Sequence, residues 1–443
     1  AGLVAAERIT PALLVAITFL IGTGAAFTGP TWQAVVPELV PRTHLQPAVA
    51  LNSMGINISR AIGPAIAGFL ITAIGLAAPF AANAASQVLI VAVLLLWRRP
   101  VPAPTALPPE PIGAAMVTGL RHAAHNGPLK ATLLRAVGFF LFSSAYWALL
   151  PLIARGLPNG GAEFYGFLLA SIGAGAVAGA LLLPKLRNKL NTNMLATFGV
   201  VLTALAMTSL ALVEIQLAAI AAAFGGGLGW IMVLTGLHIS AQTALPDWVR
   251  ARGLAIFMMV FHGSMAAGAA IWGQIATGLS VDAALLIAAV GALLAIPLTW
   301  RARLGQGEDL DLTPSSYWPA PVVHHRMGNV ADRGPVMITI EYEIDLSNER
   351  AFLDALYVLS GERYRDGAYE WSVYQDSEAP GRWIETFVVS SWTEHLRQHE
   401  RATQHDKEIQ EAVKAFHVGT AAPRVRHWLA PARESRVPNA VGD

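Results

Sequence analysis

The 443-residue chain is 54% hydrophobic and only 13% charged, about half the charged fraction of an ordinary soluble domain. Its net charge of +1 averages an apolar part and a charged part, so it identifies no partner. The lack of cysteine excludes disulfides, thiolate chemistry and cysteine-based metal sites.

Residues 1–6 read as the tail of a helix and not as a signal peptide, with no basic start, short apolar core or A-x-A site. Crossing a bilayer takes about 20 apolar residues as helix. Spans are predicted near 11–38, 45–73, 77–97, 128–154, 162–184, 190–212, 217–244, 249–277 and 281–301. Residues 101–111 (VPAPTALPPEP) form a Pro-rich, extended linker. A short amphipathic helix over 112–126 is expected on the cytoplasmic surface, with Arg121 and His122 on its polar side. After Arg301 charges become frequent and the apolar runs stop, so a soluble domain follows a second linker at 305–335. In that tail, 336–345 alternates as a strand, and Ser347 is placed to cap a helix through about 360. Strands at 368–375 and 382–390 flank a turn at Ala379, Pro380 and Gly381. A helix over 393–416, broken near Thr403, and a strand at 424–429 complete a βαββαβ order, the ferredoxin-like arrangement.

Segments 39–68 and 244–273 read as one sequence written twice. Pro41 and Pro246, Gly63 and Gly268, and Gly68 and Gly273 share one offset of 205. Parallel repeats of membrane helices build several transporter folds. The offset pairs span 11–38 with 217–244, 45–73 with 249–277 and 77–97 with 281–301. The remaining three spans find partners only upstream of residue 1, so three further helices are expected there, giving twelve as two sixes. Arg42, Arg98, Arg99, Arg121, Lys130, Lys185, Arg187, Lys189, Arg250, Arg252, Arg301 and Arg303 fall on one side of this arrangement, predicted cytoplasmic together with the tail.

Ionisable groups inside spans are costly and are read first as functional. Ser53, Asn57, Arg60 and Pro64 share one helical face. Arg60 cannot lose its charge. It is expected to bind a polar or anionic substrate or to couple to a carboxylate, and the competing reading is an arginine that snorkels or ties two helices. His262 takes the repeat position of Asn57 and suits a proton relay; against this stands a neutral, hydrogen-bonded histidine. His238 lies near a span end, where the structural reading is stronger. Gln33, Asn52 and Gln274 are candidate cavity-lining groups. Trp32, Trp147, Trp230 and Trp272 can pack on substrate or anchor interfaces. Gly63, Pro64, Gly68, Gly268 and Gly273 are expected to be scaffold. Gly173, Gly175 and Gly179 lack nucleotide-loop spacing and are expected to pack helices. No P-loop is present. In the tail, His395 and His399 have a spacing that permits metal binding, but a solvated helix face is expected there and no metal is assigned.

Over residues 1–303 the chain resembles the major facilitator superfamily. The segment from Gly63 to Gly68 (GPAIAG) resembles the G-P-x-x-G-G end of the fifth-helix motif of drug/proton antiporters, with Ala67 for its first closing glycine and Ala50 and Ser59 at earlier glycine positions. The segment from Gly22 to Ala26 is similar to the end of the fourth-helix antiporter motif, with Thr18 where an arginine is expected. Trp32 and Gln33, the PELVP segment from Pro37 to Pro41, the ALLP segment from Ala148 to Pro151, and the tail segments EHLRQHER (394–401) and FHVG (416–419) resemble the transmembrane secretion effectors, which include catecholate siderophore exporters. The tail is also similar in fold to the dimeric α/β-barrel monooxygenases of antibiotic biosynthesis.

The expected fold is thus an all-α polytopic membrane protein of the major facilitator type, with about nine of twelve helices present, plus a small α+β ferredoxin-like cytoplasmic domain. The expected divisions are 1–97, the end of the first six-helix half; 98–127, a cytoplasmic linker; 128–303, the second half; 304–335, a linker; 336–431, the ferredoxin-like domain; and 432–443, a disordered tail. The resemblance implies secondary active, proton-coupled export of a small molecule, a siderophore or drug-like compound, across a bacterial inner membrane. The expected partners are that substrate, protons, the lipid bilayer and a second copy bound through the tail domain, with no nucleic acid and no cofactor. Two alternatives stay open: a tail that is a monooxygenase-like enzyme or sensor fused to the transporter, and an inactive fragment.

Overall fold

The computed structural model describes residues 2–6, 8–10, 12–24, 28, 55, 59, 63, 66, 70, 73–75, 77–97, 107–158, 160–315, 317, 318, 321, 323, 330 and 333–431. Gln33, Asn52, Asn57, Arg60, Pro64 and Gly68 lie outside the described residues. The chain divides into two compact units, one of 1–104, 131–242 and 254–306, the other of 105–130, 243–253 and 307–443.

The first unit is helical because its sequence is apolar over stretches long enough to satisfy every backbone group within one helix. An apolar helix α1 (Ala12–Gly24) is followed by α2 (Ala78–Leu96). The shorter α3 (Ile112–His125) belongs to the second unit. Six long helices follow: α4 (Gly127–Gly156), α5 (Ala162–Arg187), α6 (Thr192–Leu212), α7 (Gln216–Thr243), α8 (Arg250–Gly278) and α9 (Val281–Leu298). Among the described residues, α2 and α4 to α9 are each long and apolar enough to cross a membrane. The starts of α6 and α9 are set by Asn191 and Ser280, which accept from the backbone of Met194 and Ala283.

Small residues let these helices meet. A Cβ on Gly175 would collide with the Phe224 carbonyl, joining α5 to α7, and one on Gly268 would collide with Ser144 and the Leu141 carbonyl, joining α8 to α4. Around Gly273 and Gly63 a Cβ meets no described atom within 4 Å. Arg135 of α4 is buried, and it donates to the Ala302 carbonyl at 3.0 Å and to Asn193 at 2.9 Å.

The second unit contains an antiparallel sheet of order β2-β3-β1-β4. Its elements run β1 (Val336–Glu343), α10 (Glu349–Asp366), β2 (Glu370–Gln375), β3 (Arg382–Val389), α11 (Trp392–Arg401), α12 (Gln404–Lys414) and β4 (Arg424–Leu429). β1 takes the centre, with Val336 opposite Val389 on one side and Leu429 on the other. Ile338, Ile340, Phe352, Leu356, Phe387 and Trp392 form its core. The topology is ferredoxin-like.

Two local details refine the sequence reading. Ser347 does not cap α10: its hydroxyl donates to Asp345 at 2.8 Å, whose carboxylate also accepts from the Ser347 backbone, and a 3-10 turn over Leu346–Asn348 intervenes. The break near Thr403 is a capping box, in which Thr403 and Asp406 satisfy each other's backbone N–H and start α12.

Candidate functional site

In the helical unit, α4, α7 and α8 bring aromatic rings to one place. Trp230 of α7 lies 5.4 Å from Phe139, 5.6 Å from Phe140 and 5.3 Å from Trp147 of α4, between ring centroids. Phe261 of α8 meets Phe140 at 4.3 Å, and His262 lies 4.5 Å beyond it. Tilted and edge-on pairs of this kind are favoured by the ring quadrupoles. Phe139 or Phe140, Ser143 and Trp147 recur at helical spacing, so one face of α4 carries this cluster.

The polar groups beside the rings are of two kinds. Tyr146 donates to the Ala223 carbonyl at 3.0 Å and Trp272 to the Leu141 carbonyl at 2.8 Å, both tying helices together. Ser143 Oγ and Trp147 Nε1, by contrast, are buried and have no partner among the described residues. His262 is exposed, and its Nδ1 donates to the Met258 carbonyl of its own helix at 2.9 Å. His238 donates to the Leu234 carbonyl at 2.9 Å and packs edge-on against Phe257. Of the predicted residues, the structure thus brings Trp147, Trp230 and His262 to one cluster. Phe139, Phe140, Ser143 and, on α8, Phe261 were not singled out from the sequence, although the helical spacing of the first three on α4 was readable.

The second unit holds a separate polar core between sheet and helices. Glu385 is fully buried and accepts from Arg363 Nε at 3.0 Å, Tyr342 Oη at 3.1 Å and Trp371 Nε1 at 3.1 Å. The Arg363 guanidinium lies over the Phe387 ring at 4.6 Å and the Trp318 ring at 5.6 Å. Here the expected solvated face of α11 is corrected. His395 is 3% exposed, with His399 and His427 at 4.7 and 4.8 Å. Burial, then the neighbouring imidazoles, push the His395 pKa down to about 3, and burial pushes that of His399 down to about 4. α10 covers part of the sheet with Phe352, Leu356 and Leu359, and α11 adds Trp392 and its histidine edge, which meets His427 of β4. Among the described residues no group of three histidine, cysteine or carboxylate side chains is placed to hold a metal.

A bundle of membrane-length helices packed through glycine, with a ferredoxin-like domain after it, defines a polytopic membrane protein with a C-terminal α+β domain. The chain matches the transmembrane secretion effector family over residues 2–435 and belongs to that family, one of membrane transport proteins and not of enzymes. It is similar to the staphyloferrin A transporter of Staphylococcus aureus, 26% identical over 250 residues that cover 54% of this chain and 60% of that protein. It is also similar to the enterobactin exporter EntS of Shigella boydii, 26% identical over 263 residues, 59% of this chain and 62% of that one. The chain thus spans about three fifths of the length of these curated relatives. Among solved structures it is similar to a POT family transporter, at 14% identity over 60% of this chain and 71% of that one, with a TM-score of 0.42.

Proposed function

We propose that this protein is a secondary active transporter that exports a small siderophore-like molecule, driven by protons. Family membership supports export, and the two relatives named for siderophores support the cargo class. The observation that carries the site is the aromatic cluster of α4, α7 and α8, which includes Trp147 Nε1 and, on the same face of α4, Ser143 Oγ, both without a partner among the described residues, and which His262 adjoins. Aromatic walls with a few polar groups suit an amphipathic ligand. On this reading Arg60, Asn57, Gln33 and Asn52 take part in cargo binding or coupling, and His262 carries the proton. The C-terminal domain lies in the cytoplasm, follows the 304–335 linker and pairs with a second copy through the outer sheet face, where Met337, Tyr374 and Trp428 are 38%, 56% and 49% exposed.

The test is export of a catecholate or citrate-type siderophore by the intact gene product in proteoliposomes under an imposed pH gradient. Arg60→Ala is expected to abolish export while membrane insertion persists, and normal efflux by that variant rejects its role. His262→Gln is expected to flatten the pH dependence of export, and an unchanged profile removes the relay.

A further inference from the structure

The C-terminal domain shares its compact unit with two segments that adjoin the spans: 105–130, which contains α3 and leads into α4, and 243–253, which joins α7 to α8. Their contacts converge on Glu110. Its Oε2 lies 2.7 Å from Arg252 Nη2, and its Oε1 accepts from Thr118 at 2.8 Å and lies 3.6 Å from Arg401 Nη2. Burial pushes the Glu110 carboxyl up, but Thr118, Arg252 and Arg401 together bring it below its ordinary value. One carboxylate therefore joins the linker, the 243–253 connection and α11.

Other bonds brace the same three segments. Arg401 is buried, bonds Glu394 at 2.6 Å and lies over the Trp248 ring at 4.7 Å. Arg397 donates to the Pro108 carbonyl at 3.0 Å, and Arg121 of α3 donates to the Gly367 carbonyl at 3.2 Å. Asn126 donates to the Ala244 carbonyl at 2.8 Å, and His122 meets Trp248 edge-on at 5.2 Å. A Cβ on Gly119 would approach the Arg252 Cβ to 3.0 Å, so α3 and 243–253 touch almost backbone to backbone.

We propose that the C-terminal domain is the mount for the connection between α2 and α4: Arg397 and Arg401 pin it at Pro108 and Glu110 against Arg252, and the mount stays closed while the transporter works. Separating buried charges leaves each uncompensated, which favours a contact that does not open in every cycle. The mount shortens the free connection from 98–126 to 98–107. About ten residues reach at most ~35 Å, against ~70 Å for the whole stretch with α3 helical, so relative motion of the spans on either side runs against a short tether. The tail thereby acts on transport without touching cargo. This consequence for rate rests on the transporter reading, whereas the mount itself does not.

The chain lacks cysteine, which permits a direct test. His125 of α3 and Tyr364 of α10 stack at 5.7 Å and lie outside the ion pairs. The pair His125→Cys and Tyr364→Cys, treated with a short bis-maleimide in the membrane-embedded protein, should cross-link efficiently. Adding Glu110→Gln, which keeps a partner for Thr118, should slow cross-linking and export about tenfold each, the effect of weakening one partly exposed ion pair by about 1.4 kcal/mol. Arg397→Ala should act in the same direction. Cross-linked protein should export at the rate of the unlinked parent. No cross-link in the parent, unchanged cross-linking in Glu110→Gln, or arrest of export by the cross-link each overturns the mount. Efficient, Glu110-dependent cross-linking in a protein that exports nothing supports the mount and overturns the transporter reading instead.

Discussion

Glu362 tests the electrostatics of the C-terminal domain. It lies on α10, 8% exposed, with Oε1 unpartnered among the described residues. Burial raises its pKa to about 9, and the charge of Asp406 adds to the rise while Arg365 opposes it. The folded domain therefore holds this carboxyl protonated at neutral pH, whereas the unfolded chain releases the proton near pH 4.5. A folded pKa above the unfolded one contributes stability that is fully present below about 4.5 and is lost as pH rises towards 9. At pH 7.5 the loss spans three pH units at about 1.4 kcal/mol each, about 4 kcal/mol in all. Glu362→Gln keeps the size and removes the titration, so it should stabilise the domain by about that amount at pH 7.5 and by little at pH 4.5. Hydrogen exchange of β1 and β3 in the purified protein, measured from pH 5 to 8.5 and corrected for intrinsic rates, reads the difference. His395 and His399, pushed down by burial, favour the folded state at higher pH and lose that contribution below about 6.5, but they cancel between variant and parent. A difference that does not change with pH, or a variant less stable at pH 8, refutes the assignment of Glu362 as a buried neutral acid.

Two further substitutions address the packing. Gly268→Val drives a side chain into Ser144 and the Leu141 carbonyl and should lower detergent-solubilised melting stability by about 1–3 kcal/mol. Gly273→Val, which meets no described atom within 4 Å, should leave stability within about 0.5 kcal/mol; equal effects would show that the two glycines do the same work. Arg363→Met strands Glu385 in a fully buried position and should cost about 3–5 kcal/mol in urea unfolding followed by tryptophan fluorescence. The double variant Arg363→Met, Glu385→Leu should recover part of that cost, and no recovery would mean that the pair is not coupled.

The two units were legible to different depths. The spans from α4 to α9 follow from uninterrupted apolar runs, because a bilayer demands length and hydrophobicity and little else. The sheet follows from alternation, and the break before α12 from Thr403 and Asp406 three residues apart. His395 and His399 show where such reasoning stops. Their spacing puts them on one face of α11, but periodicity alone does not say whether that face meets water or the sheet, and the sheet took it. Glu110 was less legible still. It sits in a proline-rich linker without periodicity, and the two arginines that bind it come from segments distant in sequence.

The doubled segment carries the same lesson into the spans. Gly268 and Gly273 occupy equivalent places in the repeat as Gly63 and Gly68, and identity between copies suggested one scaffold role for all four. In the second copy Gly268 is where α8 and α4 touch, while around Gly273 a Cβ meets no described atom within 4 Å. A repeat records common descent of two helices, not the present neighbours of each residue. What makes Gly268 a packing glycine is the helix placed across from it, at Ser144 and Leu141 beside the aromatic face of α4, which Phe261 and His262 of α8 adjoin. The close approach of α8 to α4 is thus what brings Phe261 onto Phe140 and places His262 at the edge of the cluster, so the scaffold glycine and the proposed proton carrier belong to one helix contact.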